Sequence, residues 1–441
     1  MIKSESNLAP KLAAAVFIFL AIAIQIQFSF FPSEDYKGLR LNLADLGLPV
    51  IGLGIILSLL SKKSQWPEFY IPHTYLWLTG LGLILLAALM NSFFLYGELN
   101  HWGLVNKVIG WAVLSAYFLM GSWLARNTPS HYLLLFIKTA IALFVIIALF
   151  ECIYMLIQSY TPKGTLPKKG LPISGLMANK NAYSFWALTL FTVGFFLRDK
   201  IKPGFLIPLM SFLFPLLFYY TNARAGFLAF IVMAILLFIF EKGKTGKTIV
   251  IGFFLGLLTT FTIIQTTPTS TLFRGTQFVT AAQIQSIQEK ENYSVPDYST
   301  ATSHKGDSIR LTVLRTTKNM ILENPLFGSG LGSARYAQEK EWGEFVNLID
   351  STPLWLWAET GLFGMLAFLA FYLLCLKALW RKNHNPAEDL IHKQMAKAVF
   401  VILIIFGIMS LFHEILYTRF LWLFMGMALA ITSHHENRIQ A

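Results

Sequence analysis

The sequence predicts an all-α, polytopic membrane protein of about twelve transmembrane helices, on three observations. Of 441 residues, 55% are hydrophobic and only 13% charged, against about 25% charged in an ordinary soluble domain. Apolar runs recur along the whole chain, most of them near the ~20 residues that cross a bilayer core. The basic residues behind the net charge of +12 collect in short connections between those runs. That distribution belongs to membrane orientation and contact with membrane lipids, not to a nucleic-acid-reading face, so no nucleic-acid partner is expected. Cys152 and Cys375 both lie inside apolar runs, which argues against a disulfide framework and offers no zinc spacing.

Taken in order, the predicted spans lie near 12–31, 43–61, 74–95, 104–125, 137–158, 182–198, 203–220, 224–240, 247–265, 354–378, 396–412 and 415–433. Each is an apolar run closed at both ends by polar residues. The first lacks a small-residue cleavage site and is taken as a retained span. Alternate connections are basic: Lys62 and Lys63, Arg126, Arg198 with Lys200 and Lys202, Lys242 with Lys244 and Lys247, and Lys377 with Arg381, Lys382 and Lys393. The positive-inside rule makes these cytoplasmic, which puts both termini inside. The chain then divides into 1–265 (nine spans), 266–353 (a large outer loop) and 354–441 (three spans).

This orientation leaves several cations on the outer side, against the rule. Arg224 opens an apolar helix in "NARAGFLAF", and Lys163, Lys168, Lys169 and Lys180 flank the 182–198 span. An extracytoplasmic anion such as a phosphate would favour them there. Arginine suits a phosphate because its planar fork donates two parallel hydrogen bonds and keeps its charge. Equally, an arginine at a helix mouth snorkels to the headgroups as an anchor.

The outer loop of about 90 residues is long enough to expect function or disorder. Its later part, "GDSIRLTVLRTTKNMILENPLFGSGLGS", predicts a helix capped at Asp307 or Ser308 and stopped by Asn324-Pro325. Arg310 and Arg315 on it lie about 140° apart around the axis, so they do not face one small site; Arg315 is equally a solvated residue. In "DSTPLWLWAETGLFG", Pro353 suits a first helical turn with Ser351 or Thr352 as cap. Asp350 stands just before it, where a carboxylate also favours the helix dipole. Glu359, one and a half turns in, is costly there unless paired, and reads as a hydrogen-bonding anchor or a functional group. Glu151, inside the fifth span, is a functional candidate without an assigned role.

Together these stretches resemble the O-antigen ligase and polymerase superfamily of bacterial membrane glycosyltransferases. "NARAGFLAF" resembles its Ser-Arg-Gly-type motif through Arg224, and "IRLTVLRTTKNMILENPLFGSGLGS" its Arg…Pro-Leu-Gly-x-Gly stretch through Arg310. "DSTPLWLWAETGLFG" resembles its His-Asn…Glu-x-Gly-Leu-x-Gly motif through Glu359, Gly361 and Gly364. "GLMANKNAYSFW" is similar to its Asn-rich helix start through Asn179 and Asn181. One departure stands out: the family's histidine falls on Asp350 and the following Asn on Ser351. His101, His304 and His413 are near enough to the outer face to replace that histidine, or are simply surface residues.

The resemblance implies a GT-C-like fold in a bacterial inner membrane with its active site on the periplasmic face. The implied donor is a glycan on undecaprenyl diphosphate, transferred to an acceptor hydroxyl with inversion. Arg224 and Arg310 would clamp the leaving diphosphate, and Asp350 would be the base. Lys168, Lys169, Asn179, Lys180, Asn181, Arg315 and Glu359 would line the substrate site. No tight Asp-x-Asp pair occurs outside, so no metal and no cofactor are expected. The acceptor is lipid A–core for a ligase, or a second lipid-linked glycan for a polymerase. A transporter or flippase of lipid-linked sugars is the rival of another class, but no repeat relates the two halves.

Overall fold

The computed structural model describes residues 8–28, 41–62, 64–160, 173–177, 179–221, 223–241, 247–266, 303–343, 345, 348–386 and 388–432. Lys163, Lys168, Lys169 and the polar part of the outer loop over 267–302 lie outside the described residues. The chain is almost wholly helical: α1 Leu8–Ala23, α2 Leu43–Leu60, α3 Thr74–Tyr96, α4 Gly103–Asn127, α5 Ser130–Tyr160, α6 Lys180–Phe196, α7 Leu206–Thr221, α8 Arg224–Glu241 and α9 Lys247–Thr266. After the outer loop come α10 Ser303–Glu323, α11 Ser333–Trp342, α12 Thr352–His384, α13 Leu390–Ser410 and α14 Arg419–Leu429.

Each predicted apolar run holds one of these helices. Among the described residues six are long and apolar enough to cross a membrane: α2, α3, α4, α5 (over Ser130–Ile157), α12 and α13. Ala14–Ala23, Leu206–Thr221, Arg224–Phe240, Ile249–Ile263 and Arg419–Leu429 form shorter apolar helices, and α6 has 17 residues. The first helix stops at Ala23, well short of the predicted 31. Residues 24–28, "IQIQF", alternate with period two, and Gln27–Phe28 (β1) pairs antiparallel with Leu41–Asn42 (β2). Gln25 marks the exit: its side-chain amide donates to Ala21 O and Ala140 O at 2.8 and 3.3 Å. At the other end of the chain, α14 spans only Arg419–Leu429, because Ala430 leaves the helix to bridge Phe69. The helix of the outer loop starts at Ser303, a turn before the predicted Asp307 cap. His304, Lys305 and Gly306 offer no apolar residue by which a helical period could show it.

Helices α6 and α14 are buried along nearly their whole length and form the centre of the bundle. Around them pack α4, α5, α7, α8 and α13, while α2 and α9 present Leu53, Ile56, Leu57, Phe254, Leu258 and Phe261 outward. An apolar face with no water-compatible residue is what a lipid-facing helix requires. At the α4–α14 crossing, small residues let backbones touch. A Cβ on Gly426 would stand 2.0 Å from Phe118 O, and one on Gly121 2.3 Å from Leu423 O.

The connections sort to two ends. At one end Arg126 pairs with Glu68 at 2.8 Å and donates to Ile431 O, and Tyr70 donates to Glu388. At the other, Gln27 N donates to Leu176 O, Asn100 to Gly332 O, and Arg419 pairs with Asp45 at 3.1 Å. All candidate site residues that are described belong to this second end or to the turns just beneath it.

Beneath that end α12 is broken. Gly361 has φ 74° and ψ 178°, incompatible with a continuing helix. The segment Pro325–Gly332 inserts against the break and supplies the missing partners. Ser329 N donates to Ala358 O (2.8 Å), Gly330 N to Glu359 O (3.1 Å), and Leu362 N to Pro325 O (2.9 Å). On its other side Leu331 N donates to Ala88 O of α3, and Asn91 Nδ2 to Gly328 O. Irregular backbone at membrane depth is tolerated when protein satisfies it in this way.

Candidate active site

The rim is assembled from helix starts. Asn179 caps α6 by accepting from Asn181 N at 2.8 Å, as its type prefers. This places Lys180 in the first turn of α6, while Arg224 starts α8 and Thr352 starts α12. Three helix N-termini thus open at one end of the molecule, where the helix dipole favours an anion. Burial first, then the charges of Arg310 and Arg224, lower the Lys180 ammonium below its ordinary pKa, so these cations act on one another although α6, α8 and α10 are far apart in sequence.

Arg310 reaches from α10 to Asp350, Nε to Oδ2 at 3.3 Å, with 49% and 40% of their side chains exposed. Both remain open to a ligand from water. Asp350 is not a helix cap: Ser351 holds the N-cap position, and the Asp350 carboxylate faces Arg310. Burial raises the Asp350 carboxyl above its ordinary value, Arg310 opposes that rise, and Glu414 adds to it. The outcome is a carboxylate more basic than a free aspartate, beside a fixed cation. His413 joins the same cluster, its Nδ1 3.2 Å from Asn181 Nδ2. It is a buried group and not a surface one.

Two predicted residues sit apart from this rim. Arg315 turns to α11, 3.7 Å from Glu341 and over the Trp342 ring at 5.8 Å. Glu359 is buried below the rim and accepts from Gly332 N at 3.0 Å and Trp355 Nε1 at 2.7 Å. Its carboxylate anchors the inserted segment to α12. Glu151 braces the backbone in a similar way. It accepts from Gly175 N at 2.9 Å, fixing the turn that leads to α6.

Sequence reasoning passed over Lys107 and Glu414. Lys107 lies in the π-helical first part of α4, fully buried, and forms an ion pair with Glu414. Its ammonium lies 3.9 Å from the Trp355 ring centroid, 4.7 Å from Trp102 and 4.8 Å from Tyr417. Such an aromatic cage stabilises a desolvated cation. The available signal was a lone lysine inside the 104–125 run, since intramembrane charges are rarely idle. A narrow cleft lined by Asn100, Trp102, Phe345, Trp355 and Glu414 opens beside the cage. Among the described residues, no three His, Cys, Asp or Glu side chains come together as metal ligands.

A buried helical bundle with lipid-facing flanks and a cationic rim beside the Asp350 carboxylate defines a polytopic membrane protein. Residues 209–369 match the O-antigen ligase family model, which supports the resemblance to the O-antigen ligase superfamily that the motifs carry. The match takes in Arg224, Arg310, Asp350 and Glu359, and supports a membrane glycosyltransferase of O-antigen ligase type. No curated protein matches the chain.

Proposed function

We propose that the chain moves a glycan from a polyprenyl (undecaprenyl) diphosphate to an acceptor hydroxyl at the periplasmic face of the inner membrane. The acceptor is lipid A–core or another terminal hydroxyl. The carrying observation is the Arg310–Asp350 pair set beside Lys180 and within the field of Arg224: a proton acceptor adjoining an anion clamp.

The acceptor O–H gives its proton to Asp350 as its oxygen attacks the anomeric carbon. The C–O bond to the carrier breaks, and its electron pair leaves with the diphosphate. Arg224, Arg310 and Lys180 meet the charge that develops there, which is the arrangement that lowers a barrier most. A single displacement inverts the anomeric centre. The arginines supply the charge stabilisation, so the proposal includes metal independence, and added EDTA should leave the rate unchanged.

The test uses purified protein, native lipid-linked oligosaccharide, and lipid A–core added or withheld, with products resolved by mass. Glycan on lipid A–core is expected only when that acceptor is present, and Arg224→Ala and Asp350→Asn should each lose about 10²–10³-fold in rate. Longer glycans on the polyprenyl carrier instead would make the protein a polymerase. Intact donor with no covalent product would overturn the transferase reading and favour a transporter.

A further inference from the structure

His413 lies in the connection between α13 and α14 and is only 9% exposed. Its carbonyl accepts from Thr352 Oγ1 at 3.1 Å, and its N–H donates to Met409 O at 3.0 Å. The next residue, Glu414, is ion-paired to Lys107, and Tyr417 OH donates to the Lys107 carbonyl at 3.1 Å. The caged lysine thus ties this connection to α4 while Thr352 ties it to α12. The imidazole is held in place before any ligand arrives, which is what a binding group needs.

The tautomer follows from the partner. An amide nitrogen only donates, so His413 Nδ1, 3.2 Å from Asn181 Nδ2, accepts, and the ring proton resides on Nε2. Burial first, then the charges of Arg310 and Lys180, push the imidazole down to about 4, so it stays neutral around pH 7. A neutral donor adds a directed hydrogen bond without adding repulsion to an already cationic rim.

We infer that His413 is a substrate-binding residue whose Nε2–H donates to the diphosphate of the lipid-linked donor beside Arg310 and Lys180. This rests on the transferase reading above. It is not the role of a base: with the proton on Nε2 and Nδ1 occupied by Asn181, neither ring nitrogen is free to take a hydroxyl proton. Asp350 keeps that role.

The test compares His413→Gln, whose amide N–H reaches near the Nε2 position, with His413→Phe, which keeps a ring but no donor. The full chain in detergent is titrated with farnesyl diphosphate, and KM for the lipid-linked donor is measured alongside. Gln is expected to bind within about threefold of wild type and Phe on the order of 10–100-fold more weakly, the loss of one hydrogen bond to a charged group. Should Phe fail to fold, His413→Asn replaces it, its amide being too short to reach the same point. Equal binding by the Gln and donor-less variants, or wild-type binding by the latter, overturns the inference while leaving the transferase reading intact. A wild type that neither binds farnesyl diphosphate nor transfers glycan overturns both.

Discussion

At the residue scale, the pairing of Asp350 with Arg310 has a consequence for pH. The base must be ionised to accept a proton, so activity falls as pH drops through its pKa. Burial raises that pKa and Arg310 lowers it, so the acid limb of kcat/KM should lie above the ~3.9 of a free aspartate. Arg310→Gln removes the lowering influence and part of the clamp. Its residual activity should be lower and its acid limb displaced to higher pH, measured as a pH–rate profile against wild type; a limb that moves down or stays would show that Asp350 is not the titrating base. Arg224, Arg310 and Asp350 were legible in the sequence because each lies in a motif with its own spacing. The Lys107–Glu414 pair was not, because its partners are 307 positions apart and hydropathy records only one charge in an apolar run. From sequence His413 reads as a surface residue or a replacement for the family's histidine for the same reason: its burial depends on α6 and α12, not on its neighbours in the chain.

At the element scale, the decisive feature is the break in α12 with Pro325–Gly332 stitched into it. Glycine is required at 361 twice over. Its positive φ disfavours any L side chain, and a Cβ would stand 2.2 Å from Leu326 O. Gly343, the C-cap of α11, has a similar φ of 81° but nothing within 4 Å. Gly343→Ala should therefore cost only the conformational penalty of about 1–2 kcal/mol. Gly361→Ala adds an overpacking cost of about 1–3 kcal/mol and should show the larger drop in thermal midpoint. Equal drops for the two would mean the stitch yields easily. In the sequence, helix α10 and its Asn324-Pro325 stop were legible as local signals. The stitch itself was not, because the glycines of "GSGLGS" and of "AETGLFG" look like ordinary turn residues until they are seen against each other.

For the whole molecule, hydropathy revealed the helices because lipid imposes the same requirement on every span, and alternate connections do gather at opposite ends. The ends of the runs were less legible where the chain trades helix for strand, as at "IQIQF". The proposed orientation puts α11 outside and the α6–α7 connection inside. Cys152 and Cys375 are both buried, so background from native thiols should be low. In spheroplasts, Lys340→Cys should react with a membrane-impermeant maleimide while Lys200→Cys should not; the reverse pattern would invert the topology. The stitch also limits how this molecule can be recombined. A chimera that takes the outer segment of a relative, up to Ser351, must take that relative's 358–362 break with it. Otherwise the transplanted loop meets a break that it does not match, and Ala358 O, Glu359 O and Leu362 N of the recipient helix lose the partners that Pro325–Gly332 supplies.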